Sequence, residues 1–327
     1  MNILIVGGTR FLGRHLVMSA ITRGHQLTLF NRGKSDSEIF PLIETIYGDR
    51  EFDLERLGQR RWDAVIDTCG YLPRIVGLSA QAFKERVGQY VFISSVSAYA
   101  DFKEVGIDEE YPLGTLEDET VEEITGETYG PLKVLCEQAV QEAFGENALI
   151  IRPGLIVGPY DPTDRFTYWP LRVARGGKVL APIGPDEPLQ FIHARDLADF
   201  ILKLVEEKVN GIFNAVGPAQ PCPIGELLET CKEVSGSDAE FIWVPQNFIN
   251  EHKIAPWTEF TVWVPDSDDG GISRVSNERA KAAGLTFRST TQIVKETLSW
   301  AQTRPRDYEM RAGLNAEKES KLLKLLE

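Results

Sequence analysis

The sequence predicts a doubly wound α/β fold, in which helices cover both faces of a parallel sheet, with a smaller mixed C-terminal lobe. Short apolar runs recur through the first half of the chain, and helix-length stretches separate most of them. This is the alternation of a parallel sheet. Seven prolines fall within 36 residues after about residue 152. We therefore expect one domain at residues 1–152 and a second lobe at 153–327, interleaved with the first.

The apolar runs are the predicted strands. They are nearly continuous in apolar residues and rich in β-branched side chains, as strands covered on both faces should be. The runs span residues 3–6, 27–30, 64–66, 90–93 and 148–151. Crossover helices are predicted at 11–23, 72–86 and 129–144, and the last has the clearest apolar stripe.

The second lobe should combine short helices with a few apolar pieces. Helices are predicted at 166–175, 195–207, 224–235, 277–283 and 290–301, with strand candidates at 212–213 and 241–244. The end of the chain, 315–327, has a charged leucine pattern that suits either a docked or a frayed helix.

Composition narrows the classes of function. The 327 residues are 43% hydrophobic and 26% charged, and 35 basic against 49 acidic residues give a net charge of −14. That charge repels phosphate backbones and anionic membranes, so it argues against nucleic acid and membrane partners. The four cysteines are far apart without a Cys-x-x-Cys pair, which favours a reducing cytoplasm and argues against a metal site.

A glycine-rich turn follows the first predicted strand and opens a helix, as a dinucleotide-binding turn does. Gly7 permits the tight turn, Gly13 allows close packing of helix on strand, and the free amides can hold a pyrophosphate. Arg10 replaces the middle glycine, so this segment alone also fits an ordinary strand-to-helix turn. The candidate cofactor contacts here are Gly7, Thr9, Arg10, Phe11 and Leu12.

The end of the second strand bears on which cofactor binds. A cofactor without a 2′-phosphate needs Asp or Glu there, but the chain has Asn31 and Arg32. A guanidinium binds phosphate through paired, charge-assisted hydrogen bonds. We therefore predict NADP in preference to NAD. The alternative is that Arg32 is a solvated loop cation.

Further candidate cofactor contacts follow later strands, at the crevice edge of the sheet. Asp49 suits a hydrogen bond to the adenine amine, although it equally suits a helix cap. The other candidates are Arg50, Thr68, Cys69, Gly70 and Pro153.

A serine, a tyrosine and a lysine form the candidate catalytic set. Tyr129 and Lys133 open the most amphipathic predicted helix, and their spacing of four puts both on one face. A phenol is a poor base at neutral pH unless a cation stabilises its phenolate, and Lys133 can supply that charge while also binding the cofactor ribose. Ser95 follows a neighbouring strand and can donate to a substrate oxygen. A second Tyr-x-x-x-Lys pair, Tyr99 and Lys103, lacks helical context and is taken as accidental.

These motifs together resemble the extended short-chain dehydrogenase/reductases and, within them, the NAD-dependent epimerase/dehydratase branch. The resemblance rests on the segments 7–13, 92–95, 129–133 and 191–198. It implies that Ser95 is the catalytic hydroxyl, Tyr129 the acid/base and Lys133 its activator. It also allows a homodimer through helices such as that of Tyr129.

The departures from the family pattern bear on the substrate. Arg10 and the Asn-Arg-Gly after the second strand resemble an atypical subgroup that includes uncharacterised bacterial reductases and chloroplast stem-loop RNA-binding proteins. The segment 152–155 lacks the Asn that contacts the pyrophosphate in sugar-nucleotide epimerases. Just before Phe191, where those enzymes tend to place a nucleotide-binding Arg, this chain has Gln190 instead. These departures argue against a nucleotide-sugar substrate, although Arg165 or Arg195 can compensate for the missing arginine.

The remaining polar and aromatic residues carry weaker signals. His193 is predicted to be structural rather than catalytic, and the other histidines form no cluster in sequence. The aromatic segment 160–169 either lines the substrate pocket or packs between the lobes.

The expected function is an NADP-preferring oxidoreductase or epimerase/dehydratase that transfers hydride at a carbon bearing oxygen in a small-molecule substrate. Two alternatives use the same fold: an RNA-binding protein and a regulator that senses the cofactor without turnover. The charge of −14 opposes the first of these.

Overall fold

The computed structural model describes residues 1–35, 39–265, 270–305 and 307–326. The strands are β1 (Asn2–Val6), β2 (Gln26–Asn31), β3 (Glu44–Tyr47), β4 (Trp62–Asp67), β5 (Val87–Ile93), β6 (Ala148–Pro153), β7 (Leu155–Val157), β8 (Lys178–Pro182), β9 (Pro188–Leu189), β10 (Phe191–His193), β11 (Gly211–Ala215), β12 (Cys222–Pro223), β13 (Glu240–Val244), β14 (Pro256–Trp257) and β15 (Phe260–Thr261). The helices are α1 (Phe11–Thr22), α2 (Pro73–Phe83), α3 (Tyr129–Phe144), α4 (Tyr168–Ala174), α5 (Ala194–Glu206), α6 (Ile224–Ser235), α7 (Gln246–Glu251), α8 (Glu278–Ala282), α9 (Thr290–Ala301) and α10 (Ala316–Lys324).

A seven-stranded parallel sheet organises the larger lobe, in the order β11-β6-β5-β4-β1-β2-β3. Helices pack on both faces, so the central strands are buried from both sides. In β1, Ile3, Leu4 and Ile5 are completely buried, which explains their unbroken apolar run. The predicted fold class is confirmed. The strand order reverses between β1 and β4, where a doubly wound sheet opens a ligand crevice.

The two lobes are interleaved along the chain. After β7 to β10 have built part of the second lobe, α5 returns to pack against α1, and β11 pairs in parallel with β6 at the sheet edge. The first lobe therefore includes 194–215, and a cut at 152/153 does not separate the two cores. The second core is built around α4 and α6 with the pair β8 and β13.

Most element positions follow the sequence prediction, and α3, α6 and α9 begin and end where predicted. Strand β3, which was not among the predicted runs, pairs with β2 and is only half-buried. The C-terminal segment is a docked helix, because Leu322 of α10 is buried and Glu319 is ion-paired with Arg172.

Candidate functional site

The three candidate catalytic residues meet at the carboxyl edge of the sheet. Ser95 follows β5 and caps the 3-10 turn Val96–Ala98, while Tyr129 and Lys133 lie on the first turns of α3. The Tyr129 phenol is close enough to Ser95 for the serine hydroxyl to lower its pKa, while the Ser95 hydroxyl itself donates to Ser97 Oγ at 3.1 Å. Gly130 lets α3 come this close, because a Cβ there would overlap the backbone carbonyl of Ser97.

Lys133 is fixed by backbone carbonyls rather than by the phenol. Its ammonium donates to the carbonyl oxygens of Gly70 and Ile93, both at 2.7 Å, and burial lowers its pKa to about 8. Burial raises the pKa of Tyr129, and the nearby Ser95 hydroxyl only partly opposes this shift. The depression of the tyrosine pKa by Lys133 stays a prediction. Lys133 holds the ends of β4 and β5 in place beside the phenol.

The glycine-rich turn has the close packing that a pyrophosphate cradle needs. A Cβ on Gly13 would lie 2.8 Å from the Gly8 Cα, and a Cβ on Gly7 would overlap the hydroxyl of Thr68. Only glycine fits these two positions. The backbone between them opens α1 with its free amides toward the crevice, so the residues present fit a dinucleotide phosphate.

The other candidate contacts in this turn have different exposures. Arg10 is exposed at the N-cap of α1 and makes no side-chain capping bond, so its guanidinium can reach a ligand at the helix start. Thr9 and Leu12 are buried, and Phe11 is half-buried. The buried side chains of Thr9 and Leu12 support the turn, so at these two positions only the backbone is available to a cofactor.

At the end of β2, Asn31 and Arg32 have different roles. The Asn31 amide donates to the Gly7 carbonyl at 3.3 Å and its oxygen accepts the Gly33 amide at 2.9 Å, which ties this loop to the glycine turn. The Arg32 side chain is 60% exposed, and its guanidinium lies 3.9 Å from the Asp49 carboxylate. An exposed guanidinium in a long ion pair can turn to a phosphate at little cost.

Asp49 and Arg50, adjacent in sequence, have different surroundings. Asp49 accepts the Glu51 amide at 3.1 Å and stays half-exposed, which is compatible with both the cap and the cofactor interpretations. Arg50 is buried and forms a bidentate ion pair with Asp67, at 2.8 and 2.7 Å, and donates to Ser79. The predicted cofactor contact by its side chain is thus corrected, because the guanidinium is fully used beneath the crevice.

The loop after β4 and the end of β6 complete the edge of the crevice. The hydroxyl of Thr68 donates to the Val6 carbonyl at 2.9 Å, and the Cys69 amide donates to Asp67 at 3.2 Å. Gly70 is packed against the Phe92 ring, and Pro153 is buried at the end of β6. These contacts hold the loop, so its backbone rather than its side chains faces a ligand.

A buried ion pair behind Tyr129 was missed by the sequence reasoning. Glu137 of α3 and Arg152 of β6 pair at 2.6 Å, with side chains 2% and 1% exposed, and the hydroxyl of Ser94 donates to Glu137 at 2.5 Å. The pair joins α3, the helix that carries Tyr129, to β6, and Ser94 connects Glu137 to the end of β5. A detectable signal was present in β6, because Arg152 is the lone charge in an otherwise apolar strand.

Two of the histidines, His15 and His193, lie next to each other although they are far apart in the sequence. The rings of His15 and His193 lie 6.0 Å apart, and His15 is 3.1 Å from the Pro159 carbonyl oxygen. Burial lowers the pKa of both, that of His193 to about 3, so both are neutral. His193 caps α5 by accepting the amide of Arg195, which gives it the structural role that was expected.

The second Tyr-x-x-x-Lys pair does not form a site. The hydroxyl of Tyr99 is buried and donates to Asn214 at 2.6 Å, whereas Lys103 is exposed and pairs with Asp101.

The model of the NAD dependent epimerase/dehydratase family matches residues 75–215, which include all three candidate catalytic residues. Over this segment the chain is similar to that family. Its sheet order and the crevice above it agree with this similarity.

Curated proteins similar to this chain have different names. The chain is 29% identical to a UDP-glucose 4-epimerase of Neisseria meningitidis, with 94% of this chain and 99% of the relative covered. It is 28% identical to the chloroplast stem-loop binding protein of 41 kDa b of Arabidopsis thaliana, with 72% of this chain covered. The match spans 63% of the length of that chloroplast protein.

Solved structures with this fold include a Bacillus cereus UDP-glucuronic acid 4-epimerase in complex with NAD, at 14% identity and a TM-score of 0.67, with 92% of this chain and 99% of that chain covered. The human epimerase family protein SDR39U1 with NADPH matches at 20% identity and a TM-score of 0.64, with 91% and 99% covered. Family and neighbours support binding of a nicotinamide dinucleotide. In the described ranges, no helix has the length and apolarity required to cross a membrane.

Proposed function

We propose that the protein is an NADP-preferring oxidoreductase or epimerase/dehydratase that uses Ser95, Tyr129 and Lys133. The observation that carries the proposal is the position of Lys133, one helical turn from Tyr129 on α3, with its ammonium bonded to the carbonyl oxygens of Gly70 and Ile93 at the edge of the sheet where Ser95 also lies. A bound nicotinamide would supply or accept the hydride.

The chain's own groups handle the proton and the substrate oxygen. The Ser95 hydroxyl orients the oxygen, and Tyr129 exchanges a proton with it. The Lys133 ammonium lies among the ends of β4 and β5, where it can bind ribose hydroxyls and stabilise the phenolate once it is drawn from its carbonyl partners. Arg32 and Arg10, both exposed at the pyrophosphate end of the crevice, provide the positive charge for a 2′-phosphate.

The variant Tyr129→Phe tests the chemistry. It removes the proton-carrying oxygen and leaves the ring, so turnover should fall by at least about 10²-fold while cofactor affinity stays unchanged. The measurement is hydride transfer on a substrate found by screening, beside calorimetric titration with NADP. Full activity in Tyr129→Phe would overturn the mechanism.

The variant Arg32→Asp tests the cofactor preference. Loss of one phosphate-binding guanidinium and the added negative charge should weaken NADP binding by roughly 10- to 100-fold, with little effect on NAD. Parallel calorimetric titrations of both cofactors measure this. Lys103→Asp, on an exposed lysine outside the crevice, makes the same charge change as a control. Equal losses for NADP and NAD in Arg32→Asp would contradict the preference.

Binding of an RNA stem-loop is the second candidate, favoured by the similarity to the chloroplast protein. The net charge of −14 opposes it, so we expect no strongly salt-dependent RNA retention in a filter assay at low salt. We also propose a homodimer through α2 and α3, which light scattering can measure.

A further inference from the structure

A buried polar network lies beneath the crevice, at the end of β4. Asp67, the last residue of that strand, is completely buried, and its carboxylate accepts four hydrogen bonds. Two come from the Arg50 guanidinium at 2.8 and 2.7 Å, one from the Tyr90 hydroxyl at 2.9 Å and one from the Cys69 amide at 3.2 Å. A carboxylate has about four acceptor positions, so this carboxylate is saturated and its orientation is fixed.

The groups that hold Asp67 are themselves held by other elements. Arg50, in the turn after β3, also donates to the Ser79 hydroxyl of α2 at 3.1 and 2.9 Å. Tyr90 of β5 is completely buried, and burial together with the negative charge of Asp67 raises the pKa of its hydroxyl. The hydroxyl therefore keeps its proton at neutral pH and donates it to the carboxylate. Asp67 is thus fixed from the turn after β3, from α2 and from β5.

Stability alone does not explain why these groups are charged. Moving two charges out of water is costly, and well-packed apolar residues in place of a buried ion pair are often equally stable or more stable. The carboxylate offers what an apolar side chain lacks, a directed acceptor for the Cys69 amide. The network therefore acts on the backbone that follows β4.

The loop that follows β4, residues 68–70, is held closely against its surroundings. The amide and the hydroxyl of Thr68 donate to the Val6 carbonyl at 3.2 and 2.9 Å. At Gly70, a Cβ would lie 2.5 Å from the Phe92 ring and 3.2 Å from the Asp67 carboxylate. Only glycine fits there, so the backbone passes directly over Asp67 and the place of the Gly70 carbonyl depends on that contact.

The Gly70 carbonyl is one of the two that hold Lys133. The Lys133 ammonium donates to it and to the Ile93 carbonyl, both at 2.7 Å, and lies 4.6 Å from the centre of the Phe92 ring. The residue is 3% exposed, and burial lowers its pKa to about 8. A shift of the Gly70 carbonyl would therefore move the ammonium. A continuous series of hydrogen bonds and backbone links runs from Arg50 through Asp67 to Lys133.

We propose that Asp67 is a positioning residue of the cofactor site, which holds the loop 68–70 so that the Gly70 carbonyl keeps the Lys133 ammonium where the nicotinamide ribose binds. Arg50 and Tyr90 keep Asp67 in its orientation and do not touch the cofactor themselves. The inference rests on the proposed function for the identity of the ligand. The link between Asp67 and Lys133, however, can be measured in the protein without a ligand.

Two double variants that differ only at position 67 test the proposal. Both carry Arg50→Met, so neither leaves an unpaired buried charge. Arg50→Met/Asp67→Asn, the asparagine variant, keeps a side-chain oxygen for the Cys69 amide and is the matched control. Arg50→Met/Asp67→Leu, the leucine variant, removes that oxygen. Tyr90→Phe, which takes one donor from Asp67 and keeps the ring, is a milder single change.

The first measurement is calorimetric titration of the full chain with NADP and with adenosine 2′,5′-bisphosphate, which has the adenosine and the 2′-phosphate of NADP but no nicotinamide ribose. The leucine variant should bind NADP roughly 3- to 10-fold more weakly than the asparagine variant, the effect of about one lost hydrogen bond. The two variants should bind the bisphosphate equally, because the loop 68–70 acts through Lys133 on the ribose that this probe lacks.

The second measurement needs no ligand. The free energy of unfolding of each double variant is compared with that of the same chain carrying Lys133→Met, between pH 8 and 10.5. Because burial lowers the pKa of Lys133, the difference should rise with pH in this range. The rise should persist in the asparagine variant. It should be smaller in the leucine variant, where a released Lys133 regains water and its pKa returns toward the ordinary value.

A weaker binding of NADP alone, together with a smaller rise with pH in the leucine variant, supports the proposal. Equal NADP affinity of the two double variants, an equal loss for NADP and the bisphosphate, or an equal rise with pH overturns it. If the leucine variant does not fold, Tyr90→Phe decides by the same titrations, and no selective loss of NADP affinity overturns the proposal. If the wild type binds no NADP, the proposed function fails, and the pH measurement alone decides whether Asp67 positions Lys133.

Discussion

The buried ion pair of Glu137 and Arg152 yields a sharp prediction about stability. We consider Arg152→Met, which keeps most of the side-chain volume but removes the charge. Glu137 then keeps only the hydrogen bond from Ser94 at 2.5 Å and loses guanidinium donors at 2.6 and 3.0 Å. With its side chain 2% exposed, water cannot replace them.

The expected loss follows from the cost of an uncompensated buried charge. Removing one partner of a buried pair destabilises a protein by about 3–5 kcal/mol. The free energy of unfolding of a protein is typically ~5–15 kcal/mol, so this single change should remove a large share of it. Replacing both partners of a buried ion pair with apolar groups often leaves the free energy of unfolding unchanged. The double variant Arg152→Met/Glu137→Leu should therefore recover at least about 2 kcal/mol relative to Arg152→Met, even though the Ser94 hydroxyl loses its acceptor.

Urea unfolding at pH 7, followed by both fluorescence and circular dichroism to check for a single transition, measures these differences. A loss below about 1 kcal/mol, or a double variant no better than the single one, would refute the reasoning.

Two further changes probe α3. Burial lowers the pKa of Lys133 from 10.5 to about 8, so between pH 8 and 10.5 the unfolded state binds more protons than the folded state. As the pH rises through this range, the free energy of unfolding of the wild type should therefore increase by about 3 kcal/mol relative to that of Lys133→Met. Urea titrations measure this, and a difference between the two proteins that does not change with pH would contradict the burial. Gly130→Ala should destabilise by roughly 1–3 kcal/mol in thermal unfolding, because a Cβ there overlaps the Ser97 backbone. Gly126→Ala, which meets nothing within 4 Å, should stay close to wild type, and equal effects of the two would rule out the clash.

The strands and helices were largely readable from the chain because local patterns specify them. The apolar runs that became β1, β4 and β5 are buried on both faces, and α3 carries its stripe over its full length. Strand β3 was missed because it lies at the sheet edge, where half-buried side chains do not require an apolar run.

The candidate site was readable only in part. Glycines of the turn and the spacing of Tyr129 and Lys133 are local features, so sequence located them. The role of Arg50 was misjudged because its partner Asp67 lies on another strand, and the pairing of His15 with His193 joins residues far apart in the chain.

By itself, the sequence determined the alternation of strands and helices, the glycine turn, the Tyr129–Lys133 face and the negative charge, since these depend on neighbours within a few residues. Tertiary structure alone decided the partners of buried charges. It gave Glu137 and Arg152 to each other and placed Arg50 against Asp67. The physical reason is that the energy of a buried charge depends on what surrounds it in space, and long-range folding sets those surroundings.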